Sequence, residues 1–405
     1  MDHRHGPVPA RSRRSLSGGL RSLRSFGVAI VGAGIVGCAT AWELARRGVE
    51  VGLLERSAQP ASETTGLGEG NVLCCDKQPG AELDLTRCGL ALYDEIEELL
   101  GAEAGIRRKG ALMVHAAQDG WAAEPERLAA MRSTGVSCAL LGADEVRAAE
   151  PELSGAILGA SRFPSDLQCA PRAIARALAR EAQRLGATLL TEFDAERIVL
   201  SGSRVTGVAA GDGTRAVSAD AVVLAAGPWS ATLAATVGLH LPVEPRKGQL
   251  VRLERRPGFV AHKVVDGSYM AAVASPGTGL LTSSVIETTL DGHVLVGSSR
   301  ERRGFDLSVD PVVSQALLGR AKLIAPALEA LRVDSAWAGL RPWLPGGLPA
   351  IGRSAVADGL WVATGHEGAG VAHGPITGRL IAEGICGEPS ELDLTPFDPD
   401  RFSRG

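Results

Sequence analysis

The 405-residue chain contains no run of about 18 apolar residues, the least that a membrane-crossing helix needs, so no stretch of it reads as a transmembrane segment. Charge of one sign is lacking too: 42 Lys and Arg nearly offset 46 Asp and Glu, and beyond the first 25 residues the basic ones are scattered. Such a surface gives no nucleic-acid footprint, and no nucleic-acid partner is expected. The seven cysteines include no C-x-x-C pair and no metal-ligand spacing, so no metal site is expected and the adjacent Cys74 and Cys75 read as packed, reduced thiols. A reducing, cytoplasmic setting is the expectation, at most peripheral to the inner face of a membrane. The first 25 residues set one acid, Asp2, against Arg11, Arg13, Arg14, Arg21 and Arg24. That bias predicts a disordered basic tail over residues 1–25. Arg13 and Arg14 lack the apolar segment of a twin-arginine leader, because the next apolar run begins at Val28.

What the chain does hold is glycine, 51 residues of it, and Val28–Glu55 is the stretch around which the rest is organised. The apolar run Val28–Val31 predicts a buried parallel strand, and Gly32, Gly34 and Gly37 follow at the G-x-G-x-x-G spacing where a helix must begin. Gly32 permits the sharp turn, Gly34 leaves the backbone open to a pyrophosphate, and Gly37 lets the helix lie close to the strand. The helix start at Ile35 and Val36 offers unpaired N–H groups and the positive end of the helix dipole to phosphate. The helix closes at Gly48, and a second strand, Val49–Leu54, delivers Glu55 to a ribose hydroxyl. An acid at position 55 disfavours a 2′-phosphate, which leaves NAD or FAD.

Further along, the loop from Ser57 to Asn71 is rich in glycine and hydroxyls, and Thr64, Thr65 and Asn71 are expected to line the ligand. Amphipathic helices are expected over Leu83–Leu100 and Ala173–Leu185, with a strand from Gly110 and short helical pieces near Leu128–Met131 and Glu145–Glu150. The strand Ala221–Ala226 runs into Gly227, Pro228 and Trp229, an ending that lets backbone approach a ligand. Residues 242–297 are strand-rich, with a hairpin at Asp291 and Gly292, and Val312–Ile324 is a helix. The last strand, Leu360–Ala363, enters T-G-H-E-G-A-G-V, a second glycine-rich junction that starts a helix near Gly370. These alternations predict an α/β chain, α+β overall: a Rossmann-like nucleotide-binding domain and a discontinuous second domain built on an antiparallel sheet. The nucleotide domain is expected at 26–109, 155–240 and 335–405, and the second, substrate domain at 110–154 and 241–334.

In order and spacing, G-A-G-I-V-G with L-L-E-R, V-V-L-A-A-G-P-W-S, P-R-K-G-Q at Pro245–Gln249, W-A-G-L-R-P at Trp337–Pro342, G-L-P-A-I-G at Gly347–Gly352 and the closing A-T-G-H-E-G-A-G-V-A-H-G-P-I-T-G resemble the D-amino-acid oxidase family of FAD-dependent oxidoreductases. The resemblance spans Val28 to Phe402. The segments N-V-L-C-C-D-K-Q-P-G and G-S-S-R-E-R-R-G-F-D look most like the branch of D-hydroxyproline and opine dehydrogenases and hydrogen cyanide synthase catalytic subunits. One departure is Gly346, where relatives tend to carry aspartate.

The resemblance implies non-covalent FAD and oxidation of a C–N bond in a small amino acid or secondary amine of the glycine, D-amino-acid, sarcosine or D-hydroxyproline type. The hydrogen on the α-carbon leaves as hydride, and the resulting imine hydrolyses. An electron-accepting partner subunit or a quinone is the expected oxidant. The rival readings are an NAD-dependent dehydrogenase on the same nucleotide motif and a flavin-carrying subunit whose partner is catalytic. Arg341, in G-L-R-P, is the expected anchor for the substrate carboxylate, because a guanidinium fork matches a carboxylate. Tyr269, one of two tyrosines, is a candidate hydrogen-bonder to substrate, and His366 a candidate beside the flavin. The remaining residues assigned to the cofactor are Arg56, Ala226, Gly227, Trp229, Gly339, Gly365, Glu367, Gly368, Gly370 and Val371, the last five with His366 forming the second junction.

Overall fold

A computed structural model describes residues 21–211, 213–270, 277 and 279–403. The apolar run at the start of the chain becomes the centre of an eight-stranded sheet. In the strand Arg21–Val31, residues Val28 to Val31 pair in parallel with Val51 to Leu54 on one side and with Ala221 to Leu224 on the other. Burial on both faces explains why this stretch reads as continuous rather than alternating hydrophobics. The order across the sheet is Ala350–Arg353, Leu360–Thr364, Arg215–Leu224, Arg21–Val31, Val51–Leu54, Thr188–Leu190, and Ala195–Ser201 and Arg204–Ala210 extend the central strand Arg215–Leu224 as an antiparallel ribbon. The strand begins earlier than expected. Arg21 and Ser22 already pair with Arg215 and Ala216, so residues 21–25 belong to the sheet and not to a tail; residues 1–20 lie outside the described residues.

The second sheet also has eight strands, in the order Val333–Trp343, Glu244–Arg255, His293–Arg300, Leu281–Thr288, Lys263–Asp266, Ala111–His115, Gly159–Phe163, Ala139–Gly142. All neighbours are antiparallel except Lys263–Asp266 against Ala111–His115, which run parallel. Two strands fall across the expected boundaries. Gly159–Phe163 pairs within the second sheet although the nucleotide half was expected to resume at 155, and all of Val333–Trp343 pairs with Glu244–Arg255 although the boundary was expected at 335. Both differences arise because a strand is claimed by its hydrogen-bonding neighbour, which composition does not show. The helix Pro311–Ile324 covers this sheet, with proline in its first turn and the Asp310 carboxylate accepting the Val312 N–H.

The helices extend beyond the apolar stretches that announced them. The expected pieces near Leu128 and Glu145 are the helices Gln118–Ser133 and Ala143–Ala149, and the others run Ala81–Leu100, Pro171–Arg184 and Gly370–Cys386. The helix Ile35–Ala45 packs against Gly370–Cys386 because glycines leave room between them. A Cβ on Gly378 would stand 2.6 Å from the Ala39 carbonyl carbon, and one on Gly374 would stand 3.1 Å from Ile35 Cγ2. Sealed by buried Leu44, Ile376, Leu380 and Ile381, this contact brings the two helix N-termini together at one place. Each such aliphatic side chain contributes about 1.5–3 kcal/mol on burial.

Candidate active site between the two sheets

The first glycine-rich turn is held by backbone hydrogen bonds from Gly32 N–H to Leu54 O at 2.8 Å and from Ala225 N–H to Val31 O at 2.9 Å. Gly32 has φ +103°, and a Cβ there would meet Ala225 O at 2.5 Å; one on Gly37 would lie 1.9 Å from Gly32 O. Those two glycines are fixed by the protein itself. Gly34 is different. Its missing Cβ would touch only the Thr65 hydroxyl, at 3.2 Å, so the cradle above it is open. Thr65 Oγ1 accepts the Ile35 N–H at 3.0 Å and ties the loop to the helix start. Glu55, buried, accepts the Ala33 N–H at 2.9 Å and the Ser57 N–H at 2.8 Å, one on each carboxylate oxygen.

A cavity of about 360 Å³ opens on this turn. Of the residues expected to hold the cofactor, it is lined by Gly32, Gly34, Ile35, Val36, Glu55, Arg56, Thr64 and Thr65 from the first junction, by Ala226, Gly227 and Trp229 from the middle strand, and by His366, Glu367 and Gly370 from the last. The Arg56 guanidinium lies 3.6 Å from the Trp229 ring centroid, and Phe305 stacks on Trp229 at 5.4 Å. The site is therefore assembled from four strand ends of one sheet, the place where open α/β sheets bind dinucleotides. The open cradle at Gly34 and the helix N–H groups beside it fit the pyrophosphate of FAD.

A second cavity of about 120 Å³ adjoins the first, sharing Ile35, Thr64, Thr65, Glu367 and Gly370. It is lined by Asn71, Tyr269, Gly339, Arg341, Gly368 and Val371, together with Glu69, Asp76 and Lys77. Two expected residues line neither cavity. Gly37 packs on Gly32, and Gly365 faces Leu344, whose Cδ1 would lie 2.1 Å from its Cβ. Loop and strand are pinned across this cavity by Thr64 Oγ1 donating to Leu340 O at 2.6 Å and by Trp337 Nε1 donating to Leu67 O at 3.0 Å.

Charge in the second cavity is arranged in pairs. Lys263 Nζ lies 2.6 Å from Glu69 Oε2, and Lys77 Nζ lies 3.1 Å from Asp76 Oδ1. Arg246 Nη1 and Arg300 Nε each stand 3.5 Å from Glu367 Oε1. Burial pushes the Glu69 and Glu367 carboxyls up, but the neighbouring cations more than reverse this: Lys263 chiefly for Glu69, and Arg300, Arg341 and Arg246 for Glu367, which keeps both ionised. Arg341 is the exception to the pairing. It donates from Nη1 to Ser299 O at 3.0 Å and, among the described residues, has no carboxylate within ion-pairing distance. The Gly248 backbone lies beneath its guanidinium, where a Cβ would be 2.0 Å from Nη1.

His366 is buried with Nε2 3.0 Å from Thr377 Oγ1, and burial lowers it to about 3, so it is neutral at ordinary pH. Tyr269 forms the wall beneath Arg300, whose guanidinium carbon is 4.6 Å from its ring centroid. The departure at Gly346 has a local cause: Gly346 and Gly347 have φ +81° and +76°, a turn shaped for glycine. Sequence reasoning missed Glu69, Asp76, Lys77, Lys263, Arg246 and Arg300. The available signal was a charged residue set within an apolar run, as in H-K-V-V-D and V-L-C-C-D-K, which marks a buried ion pair.

The family described as FAD dependent oxidoreductase, the DAO family, matches residues 27–384. The chain belongs to it. The glycine oxidase of Pseudomonas aeruginosa is 31% identical over 379 residues, 92% of this chain and 98% of that protein. The D-amino acid dehydrogenase of Bradyrhizobium diazoefficiens is 28% identical over 93% of this chain and 99% of its own length, and the hydrogen cyanide synthase subunit HcnC of Pseudomonas aeruginosa is 28% identical over 94% and 97%. The crystal structure of glycine oxidase from Geobacillus kaustophilus superposes with a TM-score of 0.83 at 28% identity, covering 93% of this chain and 99% of that one. This protein is an FAD-dependent oxidoreductase of the DAO family acting on amino acids or amines. Among the described residues no helix is long and apolar enough to cross a membrane.

Proposed function

We propose that this oxidoreductase removes two electrons from the C–N bond of a small amino acid or secondary amine that carries one carboxylate, of the glycine, sarcosine, D-amino-acid or D-hydroxyproline type. The observation that carries the reading is the unmatched cation. Among the described residues each acid lining the second cavity has a buried base within ion-pairing distance, whereas Arg341 has only the Ser299 carbonyl oxygen, which leaves its guanidinium open to a further anion. A substrate carboxylate supplies it through paired N–H···O bonds.

FAD would be held in the first cavity by Gly32, Gly34, Ile35, Glu55 and Thr65, and supplies, when bound, the acceptor for the hydride on the substrate α-carbon. Arg341 fixes the carboxylate and so the direction in which that C–H bond points. Apolar Leu67, Leu73 and Leu250 in the same walls exclude water and favour the neutral amine over its ammonium form. Asn71 Oδ1, buried and without a hydrogen-bond partner among the described residues, is an acceptor for an amine N–H. The start of the helix Gly370–Cys386 turns unpaired N–H groups to the junction of the cavities, where negative charge accumulates during reduction. His366 stays neutral and takes no proton. The imine formed then hydrolyses to a keto acid and ammonia, or to the primary amine when the substrate is secondary.

Anaerobic mixing of the yellow protein with glycine, sarcosine, D-alanine, D-proline and D-hydroxyproline tests the reading. Bleaching by one or more of these is expected, and a flavin that none of them reduces would overturn it.

A further inference from the structure

A turn behind the second cavity delivers two of its lining residues. Cys74–Lys77 closes with the Lys77 N–H donating to Cys74 O at 3.1 Å, and Asp76 and Lys77 enter the cavity wall from it. Lys77 is 6% exposed and stands 3.1 Å from both Asp76 Oδ1 and Glu82 Oε1, so the ammonium is held in place only as long as the turn is. The turn is gripped from behind on both kinds of backbone group. The Asp166 carboxylate accepts the Cys74 N–H on Oδ1 at 2.8 Å and the Cys75 N–H on Oδ2 at 3.1 Å. Arg127 Nη1 donates to Cys75 O at 3.1 Å, and Arg127 is itself fixed by Glu124 at 2.9 Å and 2.6 Å.

Asp166 is fully buried, and nothing in the turn obliges a charge to be there. A neutral amide would accept one N–H as well and avoid the cost of burying a carboxylate. The ionised carboxylate accepts both N–H groups strongly; once it is protonated, the oxygen that carries the hydrogen is a much weaker acceptor and its bond to the turn weakens.

We propose that Asp166 is a positioning residue for substrate binding: its ionised carboxylate holds the Cys74–Lys77 turn so that the Asp76–Lys77 pair forms part of the cavity wall, and its protonation releases that part. The proposal rests on the reading of the second cavity as the substrate site. Burial raises Asp166 to about 7, the two backbone N–H groups opposing this and Asp76 reinforcing it, so release falls in the ordinary working range. The two cysteines and Lys77 of the turn are moved away from that range. The Cys74 and Cys75 thiols are pushed upward by burial and by Asp166, and Lys77 is held above its ordinary value by Asp76 and Glu82 against the pull of burial. Arg127 and Arg87 are the remaining charges beside the two cysteines, and both oppose the rise of a cysteine there.

The experiment measures KM, kcat and flavin content per chain from about pH 6 to about pH 8.5 for the wild-type holoenzyme and for Asp166→Asn. In the wild type, KM is expected to fall several-fold as pH rises through about 7. In Asp166→Asn, KM is expected to be raised about tenfold at the alkaline end and to lose that inflection, with flavin content unchanged. A variant that keeps the wild-type KM and its pH profile would overturn the proposal, and so would a wild-type KM that is flat across the range, which needs no variant to fold. Failure of every amine to reduce the wild-type flavin is a separate result, and it would overturn the reading of the cavity itself.

Discussion

Lys263 Nζ donates to Glu69 Oε2 at 2.6 Å, joining a strand of the second sheet to the loop that follows the nucleotide motif. Lys263 is buried between Glu69 and Glu287 and is raised to about 12: burial lowers it, and the two carboxylates outweigh that. The pair therefore both fixes Glu69 in the wall of the second cavity and ties the second sheet to the nucleotide-motif loop. Lys263→Met should strand Glu69 without its base and destabilise the protein by about 3–5 kcal/mol. Urea unfolding checks this, and the double variant Lys263→Met with Glu69→Gln should recover much of the loss.

The two glycines of the first junction should separate by readout. Gly34→Val places a branched side chain in the open cradle, where only the Thr65 hydroxyl stands near, and should give a folded protein that purifies without flavin. In Gly37→Ala the new methyl would lie 1.9 Å from Gly32 O, so the helix must move and the fold itself should suffer. Absorbance and circular dichroism on both variants decide; full flavin retention in Gly34→Val would contradict the placement of the pyrophosphate.

His366 gives stability a pH dependence of known sign. Burial depresses it from 6.5 to about 3, so its contribution is complete above about 6.5 and is lost as pH falls towards about 3. Glu124 acts lower. Burial pushes it up, but Arg127, His115 and Ser161 bring it from 4.5 to about 2, and its contribution is lost as pH falls from about 4.5 towards that value. Asp166 works in the opposite sense, since its raised carboxyl favours folding most below 3.8 and loses that contribution as pH rises through about 7. The clean measurement is a difference: Tm of wild type minus Tm of His366→Asn should shrink as pH is lowered from about 7 to about 4. A constant difference would contradict the buried, neutral imidazole.

Legibility in the sequence tracked how local the cause was. The strand, glycine turn and helix of Val28–Ala45 could be read because each residue there answers to its near neighbours, and the family motifs fixed the order of everything else. The strand Gly159–Phe163 could not be assigned, because the partner that claims it, Ala111–His115, lies in another stretch of the chain. Arg341 was legible as a guanidinium in a family context. The structure adds that Glu69, Asp76 and Glu367 each have a buried base nearby, Lys263 and Arg300 among them from distant strands, whereas Arg341, among the described residues, has only the Ser299 carbonyl oxygen. Gly365 was assigned to the cofactor from its place in the junction, yet the Leu344 side chain occupies the space beside it.

Electron transfer out of the protein should favour a carrier over oxygen, as the resemblance to dehydrogenase catalytic subunits implies. Enzyme reduced anaerobically by its best substrate should be reoxidised faster by a quinone or an artificial dye than by air-saturated buffer. Equally fast reoxidation in air with stoichiometric peroxide would make it an oxidase.

Among the described residues Arg341 has no carboxylate within ion-pairing distance, and a substrate carboxylate is its proposed partner. The most direct test of that pairing compares kcat/KM of wild type and Arg341→Met on two substrates, the best amino acid found and the same amine without its carboxylate. The variant should lose about 2–3 kcal/mol of transition-state stabilisation on the amino acid and far less on the simple amine. Equal losses on both substrates would mean that Arg341 supports the Gly248 and Ser299 backbone rather than the substrate, and would contradict the account.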